Sequence, residues 1–82
     1  MTILYFAWMR ERIGTGTEEI DPGSAATARE LVELLRTRSE GHSRAFENLA
    51  SVRVAVDQQM GDLDMGIAGA REVAFFPPVT GG

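Results

Sequence analysis

The sequence predicts an α+β fold in which a small mixed sheet packs on one main helix. The predicted elements follow the order strand, strand, helix, strand, short strand, strand. Only one segment carries a long amphipathic pattern at helical spacing, and the first and last segments are the most apolar. Because strands that are apolar on both faces belong in a sheet interior, we expect the first and last strands to pair in parallel at its centre.

The first strand is predicted over Thr2–Met9, since both alternating sets of its side chains are apolar. The RERIGTGT stretch that follows is typical of a loop, because it carries charges and two glycines. TEEI then predicts a short second strand at the sheet edge, with Glu18 and Glu19 exposed, and the DPG turn ends it.

The main helix is predicted to begin at Thr27, whose spacing to Glu30 fits a capping box. Gly41 is expected to end this helical region in a left-handed conformation, and His42, the only histidine, to be solvated in the polar loop there. Apolar residues at helical spacing form one face of this helix, which comprises Ala28, Leu31, Val32, Leu34 and Leu35.

On the outer side of that helix we expect surface pairs between Glu33 and both Arg29 and Arg36. SRAFENL predicts one short helical turn that buries Phe46 and Leu49.

The second half of the chain predicts the remaining strands. SVRVAVD alternates with its valines inward and Arg53 outward, which indicates a strand with one solvated face. DQQMGDLD has turn chemistry around Asp57, with at most a short return strand near Met60. GIAGAR is typical of a connecting loop, and EVAFF predicts the last strand.

Composition excludes several classes of function. The 82 residues carry a net charge of −4 and no basic stripe, so nucleic-acid binding is not expected. The absence of cysteine removes disulfides, zinc–thiolate sites and cysteine nucleophiles. Neither a membrane span nor a signal peptide is predicted, and we expect a cytoplasmic protein.

Two acidic and glycine-rich stretches do not predict ligand sites. Asp57, Asp62 and Asp64 depart from the calcium-loop pattern and are expected in turns and on the surface, so no metal site is predicted. GTGT lacks the long spacing and the lysine of a phosphate-binding loop.

The terminal PPVTGG suggests a chemical role for the C-terminus itself. Two prolines make a stiff extended stem, and two glycines let the backbone pass through a narrow channel. The terminal carboxylate is a poor electrophile, but an acyl-adenylate formed with ATP makes its carbonyl reactive toward a nucleophile. Since there is no cysteine, any sulfur carried at this end must sit on the Gly82 carbonyl.

Taken together, EVAFFPPVTGG, YFAWMRERIGT and VAVDQQM resemble the small, sulfur-carrier subunit of molybdopterin synthase, a family with the ubiquitin-like β-grasp fold. The resemblance covers nearly the whole chain. It implies one β-grasp domain over residues 1–82 with a flexible C-terminal tail over residues 77–82.

The resemblance also implies a mechanism in which this chain is not an enzyme on its own. An ATP-consuming activating enzyme adenylates Gly82, and a sulfur donor converts it to a thiocarboxylate. The tail then enters the large, catalytic subunit, where sulfur passes to cyclic pyranopterin monophosphate. A heterotetramer of two carriers and two large subunits is implied, and no cofactor is bound by the carrier.

The family's site positions fall on the following residues here. Gly82 is the sulfur acceptor, while Phe76 and Met60 match an apolar surface that docks on the partners. Alternation along the last strand places Phe76 opposite Phe75, which is expected in the core. The inserted stem comprises Pro77, Pro78, Val79, Thr80 and Gly81.

Two other functions stay open from the sequence. One is a sulfur carrier for another pathway, such as thiamine thiazole synthesis or tRNA thiolation. The other is a ubiquitin-like modifier or a plain interaction module.

Overall fold

The computed structural model describes residues 1–78 of the chain. In chain order, its elements are β1 (Thr2–Tyr5), α1 (Ala7–Ile13), β2 (Thr17–Glu19), α2 (Ala28–Arg36), α3 (Glu40–Ala45), a 3₁₀ turn (Leu49–Ser51), β3 (Arg53–Val56), β4 (Gln59–Gly61) and β5 (Glu72–Phe76).

The strands form one mixed sheet in the order β2-β1-β5-β3-β4. β1 and β5 lie in parallel at its centre, with Ile3 opposite Val73 and Tyr5 opposite Phe75. The other neighbours are antiparallel, and β2 and β4 are the edges. The predicted fold class, parallel central pair and edge position of the second strand are therefore confirmed.

The first strand is shorter than predicted, and a helix replaces the expected loop. β1 ends at Tyr5, and α1 begins at Ala7, which has a positive φ of 53°. Within α1, Met9 is buried in the core and Trp8 is partly buried. The Arg12 guanidinium lies 4.4 Å from the centroid of the Trp8 ring. The run that is apolar on both faces therefore changes from strand to helix in its middle. The sequence pattern does not show this change, because such a run can be buried either as a strand or as a helix.

Helix α2 begins as predicted, with the Thr27 hydroxyl accepting a hydrogen bond from the Glu30 amide at 3.2 Å. The Glu30 carboxylate reaches back to the amide of Ala26 at 3.0 Å, one residue before the position of a standard capping box. The predicted apolar face is buried except for Leu34, which is 39% exposed because it lies on the flank of the helix.

The predicted surface pairs of α2 are half right. Glu33 pairs with Arg36 at 2.9 Å, as expected. The guanidinium of Arg29 instead binds Asp64 at 3.0 Å, 35 residues further along the chain. The connection from β4 therefore runs close enough to α2 to take this arginine away from its helical neighbour.

Gly41 does not end a helix, which corrects the prediction. α2 ends at Arg36, the capping residue Thr37 that follows it has a right-handed conformation, and Gly41 lies inside α3. A Cβ on Gly41 would overlap the carbonyl oxygen of Arg12. The glycine is required because the backbones of α1 and α3 approach each other closely at this point.

The second half follows the prediction closely. Asp57 and Gln58 have positive φ angles of 47° and 70°, which form the tight turn between β3 and β4. Oδ1 of Asp57 also accepts hydrogen bonds from the amides of Arg71 and Glu72 at 2.9 and 3.0 Å, so it fixes the start of β5.

The core lies between one face of the sheet and the helices. Tyr5, Phe46 and Phe75 form its aromatic centre, with Phe46 edge-on to Phe75 at a centroid distance of 5.0 Å. Leu49, predicted to be buried, is only partly buried against this core. None of the helices over residues 1–78 is long and apolar enough to cross a bilayer.

Candidate functional site

The sheet has one closed face and one open face. Val73 and Phe75 of β5 point into the closed face under the helices and are fully buried. Ala74 and Phe76 alternate to the opposite face, where Phe76 stays partly exposed. The predicted difference between Phe75 and Phe76 is therefore present in burial, while a docking role for Phe76 remains a prediction.

Met60 lies on the same open face. It pairs with Ala55 across β4 and β3, and Ala55 pairs with Ala74 across β3 and β5, so the three side chains form a row. Met60 is 70% exposed. A flexible, polarisable side chain left this exposed is typical of an adaptable contact surface.

Phe6 is a further member of this surface that the sequence reasoning missed. It follows Leu4 by two residues in extended backbone, and its side chain is 49% exposed. The sequence prediction placed it within a doubly covered strand, so nothing marked it as accessible. We call Phe6, Met60 and Phe76, with the row of Ala55 and Ala74 beside them, the open-face patch.

Arg53 borders the open-face patch. It pairs with Phe76 across β3 and β5, so both side chains point to the open face. Its Nη1 donates hydrogen bonds to the carbonyl oxygens of Ala50 at 3.0 Å and Val52 at 3.3 Å.

The tail begins beside the same patch. Pro77 and Pro78 follow β5 directly, outside the strand and partly buried. Val79, Thr80, Gly81 and Gly82 lie outside the described residues, so the predicted roles of these four residues and the flexible tail over 77–82 stay predictions.

His42 is buried on the closed side, which corrects its predicted solvation. Its Nε2 lies 2.6 Å from Oε2 of Glu18, and its Nδ1 lies 2.7 Å from the Ser39 hydroxyl. Glu18 also accepts a hydrogen bond from the Tyr5 hydroxyl at 2.7 Å and pairs with Arg38 at 3.3 Å. Glu18 is therefore largely covered and not an exposed edge residue, whereas Glu19 is exposed as predicted.

This cluster shifts the titration of two of its members. Burial, followed by the hydrogen bond to Glu18, raises the pKa of Tyr5 above its ordinary value of 10.0. Burial alone would raise the pKa of Glu18, but hydrogen bonds with His42 and Tyr5 outweigh it and hold that pKa below 4.5. Through these hydrogen bonds, Glu18 of β2 connects Tyr5 of β1 to His42 of α3. Within residues 1–78, every buried side-chain polar atom has a hydrogen-bond partner.

Asp57, Asp62 and Asp64 are exposed, as predicted, and Asp64 pairs with Arg29. Besides the contacts of Asp57, Oδ1 of Asp62 accepts the amide of Asp64 at 2.9 Å. Across residues 1–78, no group of three or more His, Asp or Glu side chains is arranged to hold a metal ion.

Comparison with known proteins first defines the class. Solved structures with the same architecture include SAMP1 from Haloferax volcanii, with a TM-score of 0.73 and 26% identity, covering 100% of this chain and 98% of that one. A second, assigned as molybdopterin converting factor subunit 1 from Pyrococcus furiosus, has a TM-score of 0.73 and 27% identity over 95% of both chains. The fold is thus that of the ubiquitin-like β-grasp proteins.

The chain belongs to the ThiS family, whose profile matches residues 3–82. It is 34% identical to the molybdopterin synthase sulfur carrier subunit of Haemophilus influenzae, over 100% of this chain and 99% of the relative. It is 35% identical to the subunit of the same name from Escherichia coli, over 98% and 96% of the two chains. The resemblance found in the sequence is confirmed.

Proposed function

We propose that this chain is the sulfur-carrier subunit of molybdopterin synthase. The observation that carries the proposal is the similarity, over almost the full length of both chains, to two subunits with that name. The terminal FFPPVTGG supports it, since β5 leads directly into the Pro77-Pro78 stem at the border of the open-face patch. By its name such a protein carries sulfur, and the catalytic side chains belong to the large subunit.

The chemistry of the carrier takes place at Gly82. An oxygen of its carboxylate attacks the α-phosphate of ATP on an activating enzyme, which releases pyrophosphate and leaves an acyl-adenylate. A sulfur donor then displaces AMP and gives a thiocarboxylate. In the large subunit the sulfur is transferred to cyclic pyranopterin monophosphate, and hydrolysis returns the Gly82 carboxylate. ATP is consumed by the activating enzyme, and the carrier binds no cofactor.

Docking and delivery use neighbouring parts of the molecule in this proposal. The open-face patch supplies apolar contact, chiefly through Phe76 and Met60, and the exposed side chain of Phe6 supports including it as a third contact. The stem formed by residues 77–81 then extends Gly82 into the partner's active site. Exposed apolar side chains on one face of a sheet are the kind of surface that proteins use for association.

The proposal is tested by reconstitution with the large subunit from the same organism. The chain, charged to the thiocarboxylate, is expected to produce molybdopterin from cyclic pyranopterin monophosphate. A variant lacking Gly82 should keep its circular dichroism spectrum and melting temperature but produce none. Normal synthesis by the truncated chain would sink the mechanism. Failure of the intact charged chain, with thiazole formation or tRNA thiolation supported instead, would assign it to another sulfur pathway.

A further inference from the structure

Arg53 is a charged residue placed against an apolar contact surface. It lies opposite Phe76 on the open face and is exposed, while Ala55, two residues further along β3, lies in the row with Met60. The guanidinium itself turns toward the carbonyls of Ala50 and Val52 at the start of β3. A partner that covers Phe76 and extends past the start of β3 would therefore approach it and displace much of its water.

The guanidinium is held in place on one side only. Its hydrogen bonds to described residues all use Nη1, which donates to the carbonyls of Ala50 and Val52. The edge formed by Nε and Nη2 carries two parallel N–H groups, a geometry that matches the two oxygens of a carboxylate. The backbone contacts orient this edge before any partner arrives.

Within residues 1–78, the ion pairs do not include Arg53. Asp62 borders the same shallow groove but lies beyond ion-pair distance. By contrast, Arg29 across that groove is already paired with Asp64. Covering an unpaired arginine with an apolar partner costs more free energy than the contact returns, whereas a facing carboxylate offsets that cost.

We propose that Arg53 is a specificity-determining residue of the docking face and binds a carboxylate group on the surface of the protein partner. This inference rests on the proposed function, because it requires the large subunit to cover the open-face patch. It adds a charge requirement to a surface that the family resemblance describes only as apolar. Partners without an acidic group at this point are rejected.

The test measures the dissociation constant of the complex between this chain and the large subunit from the same organism. Arg53→Met keeps the length of the side chain and removes its charge, and we expect roughly tenfold weaker binding or more. Arg71→Met removes the same charge from an exposed position at the far end of β5 and is expected to change binding less than about twofold. Added salt should weaken binding of the unaltered chain more steeply than that of Arg53→Met.

A second variant separates charge from local structure. Arg53→Lys keeps the charge but loses the two parallel N–H groups of the guanidinium, and it should retain part of the affinity and of the salt dependence. A loss of binding in Arg53→Met that does not depend on salt, together with a lower melting temperature of the chain alone, would trace the effect to the contacts with Ala50 and Val52 and overturn the inference. Unchanged or tighter binding by Arg53→Met would overturn it too, while the proposed function would stand. No binding by the unaltered chain would overturn both.

Discussion

The two faces of the sheet place the same kinds of side chain in different surroundings. On the closed face, Phe75 is fully buried between Tyr5 and Phe46. On the open face, its neighbour Phe76 is partly exposed, and Met60, two strands away on the same face, is 70% exposed. The difference teaches that apolar character alone does not identify a core residue. The position of the residue in the alternation of a strand, and what covers that face, decide its role.

The largest expected effect is a difference in unfolding free energy between alanine variants of the neighbouring Phe75 and Phe76. Phe75→Ala removes a ring that contacts two other aromatic rings, and it should lower the free energy of unfolding by about 3–5 kcal/mol. Phe76→Ala removes a ring from the open face, so it should cost far less stability but weaken binding to the large subunit. Urea denaturation and a binding titration of both variants check this. Equal losses of stability would show that Phe76 is a core residue after all.

The next effect tests how tightly the closed side is packed. In Gly41→Ala the new Cβ overlaps the Arg12 carbonyl, so α1 and α3 must move apart, and we expect a loss of about 1–3 kcal/mol of unfolding free energy. Gly66→Ala is the matched control, because its Cβ would lie 3.9 Å from the nearest atom, the Ala26 carbonyl oxygen. Thermal unfolding that shifts equally in both variants would contradict the close approach of the two helices.

The buried polar cluster should make stability depend on pH. Because the pKa of folded Glu18 lies below 4.5, its ionised form stabilises the fold above that pH, and the contribution is lost as the pH falls through the folded pKa. The raised pKa of Tyr5 gives the opposite pH dependence. The neutral Tyr5 hydroxyl stabilises the fold below pH 10.0, and this contribution is lost as the pH rises toward the folded pKa.

Glu18→Gln checks this linkage by urea denaturation across the acid range. At neutral pH it should be about 1–3 kcal/mol less stable than the unaltered chain, and the gap should narrow in acid. Glu11→Gln changes an exposed residue of α1 and should stay within about 0.5 kcal/mol of the unaltered chain at neutral pH. A gap that stays constant into strong acid would refute a stabilising carboxylate at Glu18.

The smallest expected change in stability is on the open face. Met60→Ser should alter the free energy of unfolding by less than about 0.5 kcal/mol, since the side chain is mostly in water. The same variant should bind the large subunit more weakly, because it removes apolar contact from the patch. Isothermal titration calorimetry tests this, and unchanged affinity would remove Met60 from the docking surface.

Local patterns predicted much of the fold. The valines of β3, the Thr27 cap of α2 and the apolar β1 and β5 each follow a rule that depends on neighbouring residues alone, and the structure confirms them. The separation of Phe75 from Phe76 follows from strand alternation in the same way.

The errors have tertiary causes. Gly41 has the sequence setting of a helix end, but its actual role depends on Arg12, which is 29 positions earlier in the chain. His42 lies in a polar stretch, and its burial depends on Glu18 in β2. The exposure of Phe6 was not predicted, because a run that is apolar on both faces does not show where the strand ends and the helix begins. Such long-range contacts leave no local pattern in a single sequence.

The first measurement to make is mass spectrometry of the C-terminal peptide after incubation with ATP, the activating enzyme and a sulfur donor. Cleavage after Arg71 releases residues 72–82, which contain no methionine, so oxidation of the four methionines cannot mimic the exchange of oxygen for sulfur. We expect an alkylatable thiocarboxylate on Gly82 that requires all three components. An unmodified Gly82, with every component shown to be active, would contradict a sulfur carrier and favour a ubiquitin-like interaction module.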